Sequence, residues 1–540
     1  MTTGKRNLLL LNLRRLLSWR AIRFLVAVTI LIALFYAEED WRGKRAWEKF
    51  QRVWESKGEH FDREAFIPPP IPDEQNFASI PLLAAMFDYQ YDPAKKADWM
   101  FLTDAAKWRD AATYQQTQQL TVYAPVYTGT PSVDYQWQAG KACDLKAWQT
   151  YYRSITNFPV AATPQDAARD VLLALSRFDG VLDKVRAARV RPNARFPVHY
   201  DEGPAAMLPH LNMLRNLSRI LALRAVAELN LGRSDQAFAD INLCLRLADS
   251  IRSEPLLISQ LVRMAMVDII LQPIWEGLAS HRWTDEQLES FQAQLAAINS
   301  LADDERCIRF ARANMNSMIT ELRLGTLSAH GFLLMHAVID ILGPIEEAIK
   351  QPLTGQRALE LYLRLCPSGW FYLDQVRVDR FCQESILPLV DVREQRVFPS
   401  ESQCIEKTQS RGFGKHNPHG IVVGLLKSEL AVGAVYRFAL NQTAVNEALV
   451  ACALQRYRLV HKQFPATIDA LSPQFIAKVP HDIVNGQLLS YQPTADGRFV
   501  LSSAGWDDPD LRGVLKDGTR SWGRTGDWAW RYPTPIPPSN

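Results

Sequence analysis

The segment His199-Tyr200-Asp201-Glu202 places an imidazole beside two carboxylates, a combination that can move protons. General acid–base catalysis needs such groups within about 3 Å of the reacting atom, in a shared pocket. The segment lies between two predicted helices and just before Pro204, where polar loops are common. We therefore favour an ordinary polar loop, and a hydrolase with its site in this loop stays open as an alternative.

Two further histidines, His416 and His419, lie three residues apart, a spacing that can bind zinc on a helix. Pro418 and Gly420 predict a loop instead, and no third ligand lies nearby in the sequence. The chain also lacks the G-x-S-x-G, H-E-x-x-H and phosphate-binding glycine motifs. We predict no catalytic residue, no metal site and no cofactor, with this second histidine loop as the other place for the alternative hydrolase.

The segment Glu254–Arg263 (EPLLISQLVR) carries polar side chains among leucines. Pro255 is expected to open a helix, on which Gln260 and Arg263 share a face because they lie three residues apart. Such side chains either bind the carboxylate of a ligand or join neighbouring helices. We favour the joining of helices.

The cysteines do not form a recognisable metal or redox motif. No C-x-x-C pair occurs, which argues against a zinc ribbon and a thioredoxin-like site. In an exported chain, one disulfide among Cys366, Cys382 and Cys404 is an option, but we favour small buried apolar side chains. The seven cysteines are Cys143, Cys244, Cys307, Cys366, Cys382, Cys404 and Cys452.

The N-terminus has basic, apolar and acidic residues in that order. The apolar run Phe24–Ala37 is followed at once by Glu38, Glu39 and Asp40. Because basic residues stay on the cytoplasmic side, this order predicts an anchor in a bacterial inner membrane. Residues 21–37 would contact the lipid bilayer, with the N-terminus inside and the bulk of the chain extracytoplasmic. The basic residues before the run are Lys5, Arg6, Arg14, Arg15, Arg20 and Arg23.

Two other interpretations of the apolar run stay open. Its 14 residues rise only about 21 Å, against a hydrocarbon core of about 30 Å. A cleaved signal peptide has an apolar core of this length, but its candidate cut after Ala37 would place bulky Phe35 where a small residue is needed. A cytosolic helix is the third interpretation.

Net charge argues against a nucleic-acid partner. The formal net charge is +3, and removing the six basic residues that precede Phe24 leaves −3 for the rest of the chain. A nucleic-acid-binding surface is basic, so the exported part lacks the expected charge.

We predict a mainly α-helical fold with an N-terminal membrane anchor, stacked antiparallel helical hairpins and a small C-terminal α+β domain. The hairpins would form a solenoid-like body, which usually presents an extended binding surface. The predicted segments are a basic tip and anchor (1–40), a stalk helix with a proline-rich connector and a Trp/Tyr-rich region (41–163), the helical hairpins (164–386), a loop-rich linker (387–427) and a long helix with a small β-sheet (428–540).

Local signals support this helical interpretation. Leu221–Asp249 has the small-residue spacing of one tetratricopeptide-type hairpin, with a break at Gly232. Thr284 and Gln287 fit a capping box at a helix start. Phe332–Leu342 is too short and too polar for a second membrane span, and we predict a buried helix there.

The stretch Ala453–Asp508 resembles the globular domain of type II secretion major pseudopilins. In that family a conserved segment ends the long helix, a Leu-Pro-x-Asp-x-x-x-G loop leads into the sheet, and an S-x-G-x-D turn closes it. The matching residues are Tyr457-Arg458, His461, Phe464-Pro465, Leu471, Val479–Gly486 (VPHDIVNG), Tyr491 and Phe499–Asp507 (FVLSSAGWD).

The chain also looks similar to a group of uncharacterised membrane-anchored bacterial proteins. Those share the Phe66–Asp73 element, the Glu254–Arg263 segment and the Trp528–Pro533 ending (WAWRYP). The pseudopilin resemblance implies that Asp507, Asp508 and Asp510 match a calcium-binding loop. Calcium takes about six to eight oxygen ligands, so we favour a solvated turn.

These observations together lead us to expect a membrane-anchored extracytoplasmic scaffold or interaction protein of the cell envelope. Its partner would be an envelope protein, with a link to a secretion-type assembly implied by the resemblance. Besides the hydrolase, a solute- or glycan-binding protein that uses the Trp-rich region Trp99–Trp148 stays open.

Overall fold

A computed structural model describes residues 19–91, 106–123, 131–134, 136–327, 361–399, 428–494, 497–506 and 528–531. The described chain is mainly helical, as predicted, with small antiparallel sheets. It divides into two compact units. Unit 1 holds residues 19–62, 312–327 and 361–382, and unit 2 holds the other described residues.

The α-helices are numbered in chain order over the described residues. They are α1 (Trp19–Glu55), α2 (Pro81–Ala84), α3 (Ala111–Gln118), α4 (Leu145–Ser154), α5 (Ala167–Leu175), α6 (Asp179–Ala188), α7 (Pro209–Asn230), α8 (Ser234–Asp249), α9 (Leu257–Ala279), α10 (Asp285–Ala296), α11 (Ser300–Leu324), α12 (Ser368–Phe381) and α13 (Ser428–His461). The strands are β1 (Tyr89–Tyr91), β2 (Ala106–Trp108), β3 (Val390–Asp391), β4 (Arg396–Val397), β5 (Ser490–Pro493), β6 (Phe499–Ser503) and β7 (Trp528–Trp530).

Helix α1 joins the predicted anchor and the predicted stalk into one element. It contains no proline and a single glycine, Gly43, so nothing in its 37 residues interrupts the helix. The stalk helix predicted at the start of residues 41–163 extends to Glu55, and Gly58 then adopts a left-handed φ of +91° that ends the turn.

Unit 1 is built by packing α12 along the second half of α1 and the last turns of α11. One apolar cluster joins Trp47 and Phe50 of α1 to Phe61 and Val376. A second cluster joins the C-terminal half of α11 to α12, through Met315, Met318, Ile319, Leu322, Phe371 and Val378.

The core of unit 2 contains the predicted hairpin of α7 and α8. Gly232, with a φ of +75°, lies in the short turn between the two helices, where the sequence predicts a break. Ala225 and Ala237 are fully buried, so their small side chains allow the helices to approach closely. Helix α9 packs against both helices of this hairpin.

Two described helices, α1 and α9, are long and apolar enough to cross a membrane. They differ in burial, because the apolar window of α9 is 67% buried and that of α1 is 0% buried. Helix α9 therefore belongs to the core of unit 2. It begins at Leu257, not at Pro255 as predicted, because the Glu254 amide still donates to Ile251 in a preceding turn (3.1 Å).

Helix α10 begins with the predicted capping box. The Gln287 amide donates to Thr284 Oγ1 at 3.3 Å, and the Thr284 amide donates to Gln287 Oε1 at 3.1 Å. These bonds satisfy N–H groups that have no partner within the helix. Helix α10 packs on α13, the long helix predicted before the C-terminal sheet.

The C-terminal region of unit 2 is a helix packed on a small antiparallel sheet, as predicted. The strand order is β5-β6-β7, and α13 packs on β6 and β7. The small sheet predicted after the long helix is present, with strands at Ser490–Pro493 and Phe499–Ser503. Strand β7, in which Trp528 and Trp530 are buried, was not predicted individually. The helix predicted for Phe332–Leu342 lies outside the described residues.

Candidate functional site

The first half of α1 exposes apolar side chains along its whole surface. Phe24 and Leu31 are 69% and 66% exposed, and no residue before Gly43 is buried. The Arg23 guanidinium lies 5.6 Å from the centre of the Trp19 ring, at the basic end of this stretch. A contiguous exposed apolar surface marks contact with lipid or with another protein.

The second half of α1 packs tightly on α12. A methyl group on Gly43 would overlap the carbonyl oxygen of Gly369, and one on Gly369 would overlap the carbonyl oxygen of Glu39. Asp40 Oδ1 accepts a hydrogen bond from the Gly369 amide at 2.7 Å, and Glu39 Oε2 accepts one from Trp370 Nε1 at 2.9 Å. Two of the three acidic residues that follow the apolar run therefore hold the start of α12.

A buried ionic cluster lies at the other end of unit 1. Arg312 Nη2 donates to Glu59 Oε2 at 3.0 Å, and Arg312 Nε lies 3.2 Å from Asp379 Oδ1. The Arg312 guanidinium also lies 4.7 Å from the centre of the Phe61 ring. Asn316 donates to the same Asp379 oxygen at 3.1 Å. Burial raises the pKa of Asp379 to about 7, against the opposing effect of Arg312.

Glu254, from the segment Glu254–Arg263, lies at the centre of a buried polar network in unit 2. Glu254 Oε1 lies 2.8 Å from His210 Nε2 of α7, and Glu254 Oε2 accepts from Ser259 Oγ at 2.5 Å. The His210 ring stacks on Phe196 with a centroid distance of 4.2 Å. Serine, glutamate and histidine occur together, but the glutamate lies between the other two and the histidine does not contact the serine.

This order does not fit nucleophilic catalysis, in which the histidine takes the proton of the serine. His210 and Ser259 are also fully buried, so a substrate does not reach them in this structure. The network therefore connects α7 to the turn before α9.

Of the other polar residues of this segment, Arg263 joins two helices, as favoured from the sequence, and Gln260 binds the preceding turn. Gln260 Nε2 donates to the carbonyl oxygens of Ile251 and Glu254 at 2.9 and 2.7 Å, and so holds the turn before α9. Arg263 pairs with Asp303 of α11. Burial lowers the pKa of Arg263, and Asp303 opposes that shift.

The loop His199–Glu202 contacts aromatic side chains of β1. His199 is exposed, with its ring centre 6.0 Å from that of Tyr89, and Glu202 Oε2 accepts a hydrogen bond from the Tyr91 hydroxyl at 2.8 Å. Burial raises the pKa of both tyrosines, so their hydroxyls stay protonated, and that of Tyr91 donates to Glu202. This contact was not predicted from the sequence, because β1 precedes the loop by more than a hundred residues.

Tryptophans of the Trp-rich region take different positions. Trp137 and Trp148 are buried in the core of unit 2, and Trp137 Nε1 donates to the Asp268 carbonyl at 3.1 Å. Trp108 is half-buried and stacks on Tyr114 at 3.7 Å. Trp99 lies outside the described residues. Two of these indoles therefore serve packing.

Six described cysteines are free thiols, with no disulfide among them. Cys143, Cys244, Cys307 and Cys452 are buried, and burial raises the pKa of each thiol. Cys366 and Cys382 are half-buried. A raised thiol pKa leaves little thiolate at neutral pH, so these side chains are poor nucleophiles. Cys404 lies outside the described residues.

Two segments of the C-terminal resemblance meet at Asp482. This buried carboxylate accepts hydrogen bonds from Ser503 Oγ at 2.8 Å, from the Ala504 amide at 2.7 Å and from the Val484 amide at 2.9 Å. Asp482 therefore ties the loop before β5 to the turn after β6.

The described residues contain no group of three or more metal-ligating side chains. Both His416 and His419 lie outside the described residues, as do Asp507, Asp508 and Asp510. A comparison of the chain with family models, curated proteins and solved structures finds no match.

Proposed function

We propose that this protein is a membrane-anchored scaffold or interaction protein of a bacterial cell envelope. Helix α1 crosses the inner membrane through residues 21–37, with its basic end in the cytoplasm. The bulk of the chain lies outside the cytoplasm, where it binds a protein partner. No nucleic acid is involved, because the chain beyond Arg23 is slightly acidic.

The observation that carries this proposal is the division of α1 into an exposed apolar half and a packed half. Apolar side chains from Phe24 onward are exposed, whereas Gly43, Trp47 and Phe50 are buried in unit 1. One continuous helix thus connects an apolar surface to a folded body. This arrangement fits a membrane anchor attached to a folded extracytoplasmic body.

The interaction role is supported by the helical body and by the chemistry of the polar clusters. Stacked hairpins such as α7 and α8 form, in our proposal, a solenoid-like body with an extended binding surface. The polar clusters around Glu254 and Arg312 are buried and bonded within the chain. Their position suits a structural role and does not suit catalysis.

The C-terminal helix and sheet complete the proposal. We infer that this pseudopilin-like domain contacts a secretion-type assembly, by analogy with the family that it resembles. In-cell crosslinking of the full chain, followed by mass spectrometry of the crosslinked peptides, tests this point. Crosslinks from residues 428–531 to the partner support the inference, and crosslinks to the partner from the other residues alone contradict it.

The anchor is tested by two matched substitutions on α1. Leu31→Arg puts a charge at the centre of the apolar half, where an arginine costs about 2.5–3.5 kcal/mol in membrane insertion. Val53→Arg makes the same kind of change at a residue that is 46% exposed in the packed half. We expect carbonate to extract Leu31→Arg from membranes, while the wild-type chain and Val53→Arg stay in the pellet.

Topology is tested separately, with reporter enzymes that are active only outside the cytoplasm, fused after Asp40. Activity of the reporter supports the proposed orientation. A soluble wild-type chain, or an inactive reporter in a fusion that is produced in full length, would contradict the proposal.

A further inference from the structure

Two exposed leucines of unit 1 lie beside the end of the apolar half of α1. Residues 361–365 are helical, and Leu361 and Leu365 are four residues apart, so their side chains share one face. Each of them is 59% exposed. Their depth relative to the proposed membrane span determines whether they reach the lipid.

Hydrogen bonds to α1 fix that depth. The Tyr36 hydroxyl donates to the carbonyl oxygen of Leu365, and Asp40 accepts from the Gly369 amide. Tyr36 and Asp40 are separated by only about 6 Å along the helix axis. Residues 365–369 therefore lie beside Tyr36–Asp40 of α1, where the apolar half ends. In the proposed orientation this turn lies in the lipid headgroup interface, which is about 5–7 Å thick.

The opposite side of this short helix belongs to the core of unit 1. Leu363 and Cys366 pack on the cluster formed by α11 and α12. Leu361 and Leu365 are therefore the side that folding leaves exposed. Exposure of two adjacent leucine side chains to water is unfavourable, whereas their contact with lipid acyl chains is favourable.

Aromatic side chains at the same level support a lipid contact. The Tyr362 ring lies 6.1 Å from the Trp370 ring, and Trp370 Nε1 donates to Glu39. Tyrosine and tryptophan are enriched where a protein meets the membrane interface, because each has an apolar ring and a polar group. Tyr36, Tyr362 and Trp370 supply such residues around the end of the span.

We propose that Leu361 and Leu365 form a second membrane contact, which enters the outer lipid interface next to the anchor. This inference rests on the proposed function, because it uses the depth that the anchor gives to Tyr36. Unit 1 would then lie directly on the membrane surface, held by the span and by this leucine pair.

The test uses the full chain in phosphatidylcholine vesicles that contain a lipid with a diazirine on its acyl chain. After irradiation, mass spectrometry of peptides locates the labelled residues. We expect label in the apolar half of α1 and in residues 361–365. In the double variant Leu361→Glu/Leu365→Glu, labelling of residues 361–365 is lost and labelling of α1 is kept.

A matched control is the double variant Val460→Glu/Leu488→Glu, which changes two exposed apolar side chains of unit 2. It should leave both labelled regions unchanged. The milder variant Leu361→Ala/Leu365→Ala, with a circular dichroism spectrum like that of the wild type, separates loss of contact from loss of folding. It should show reduced label in residues 361–365.

Failure of this inference differs from failure of the anchor. Label in α1 but not in residues 361–365 overturns the second contact and leaves the anchor intact. Unchanged label in the glutamate variant also overturns it, because the leucines would then not make the contact. Absence of label from α1 overturns both proposals.

Discussion

Arg312 and Asp379 meet inside unit 1 with neither side chain exposed to solvent, and Arg312 Nε lies 3.2 Å from Asp379 Oδ1. Glu59 is the second carboxylate on the same guanidinium. The cluster joins the residues after α1 to α11 and α12. Such a pair adds little net stability when intact, but removing one partner leaves a buried charge without compensation.

Arg312→Met should therefore destabilise unit 1 strongly. We expect the free energy of unfolding to fall by about 3–5 kcal/mol, because the buried Asp379 carboxyl loses the cation beside it. A denaturant titration of the full chain in detergent measures the change. The control is Lys44→Met on α1, also in unit 1, where the paired Lys44 and Glu48 side chains are 63% and 51% exposed and a change below about 1 kcal/mol is expected. Equal losses in the two variants would contradict the prediction.

Gly369→Ala should loosen the contact between α1 and α12. The added methyl group would overlap the Glu39 carbonyl oxygen, and backbone atoms cannot move aside as a flexible side chain can. We expect a loss of about 1–3 kcal/mol, measured as a lower melting temperature. In Gly180→Ala, the control, the methyl group meets no atom within 4 Å. Alanine is a better helix former than glycine, so that variant should be neutral or slightly more stable.

Glu276→Gln should change how stability depends on pH. Burial raises the pKa of Glu276 from 4.5 to about 7 in the folded chain, although Gln272 and the Cys143 amide donate hydrogen bonds to it. Between pH 4.5 and 7 the unfolded chain releases this proton while the folded chain keeps it. The contribution of Glu276 to stability is therefore present at low pH and falls as the pH rises.

Between low pH and pH 7, the contribution of Glu276 to the free energy of unfolding should fall by about 3 kcal/mol, because each unit of pKa difference corresponds to 1.36 kcal/mol. Melting temperatures should be measured from pH 4 to 8 for both chains. The melting temperature of Glu276→Gln should rise relative to that of the wild type as the pH increases, and the difference should stay constant above pH 7. Glu289→Gln, which removes a carboxyl at a side chain that is 67% exposed, serves as the control for the loss of one charge. A pH profile of Glu276→Gln parallel to the wild type would show that the carboxyl titrates normally in the fold.

Asp482→Ala should release the loop before β5 from the turn after β6. The variant leaves the Ser503 hydroxyl and two amides without their acceptor, and each unsatisfied buried group costs about 1–3 kcal/mol. We expect faster proteolysis at residues 481–486, measured by mass spectrometry of the fragments. Asp469→Ala, which changes an exposed carboxylate, should leave the rate as it is. Equal cleavage of the wild type and Asp482→Ala would mean that Asp482 does not hold the loop.

Features set by neighbouring residues were predictable from the sequence. The capping box of Thr284 and Gln287 depends on four consecutive residues, and the turn at Gly232 depends on one glycine between two apolar patterns. The periodicity of α7 and α8 also has a local cause. The helical content and the succession of a long helix and short strands at the C-terminus were predicted for the same reason.

Contacts between distant segments were not predictable in this way. The sequence indicates that Arg263 joins helices, but not that Asp303 is its partner, 40 residues later. Gly43 gives no sign that Gly369 lies against it. Strand β7 has only three residues, too few for an alternating pattern, and its pairing with β6 depends on tertiary structure. What the sequence does not supply, and the structure does, is mainly the contact partner of each such residue.

The glycine contact between α1 and α12 also fixes the rotation of the apolar half of α1 about the helix axis. Each residue of an α-helix turns the chain by about 100°, so the face of Gly43 recurs seven residues earlier at Tyr36 and again near Thr29. One residue inserted between Ala37 and Gly43 would turn every side chain of the apolar half by about 100° while lengthening the helix by only about 1.5 Å. If α1 is the proposed anchor, the side chains that face each direction in the bilayer are therefore set by packing outside it.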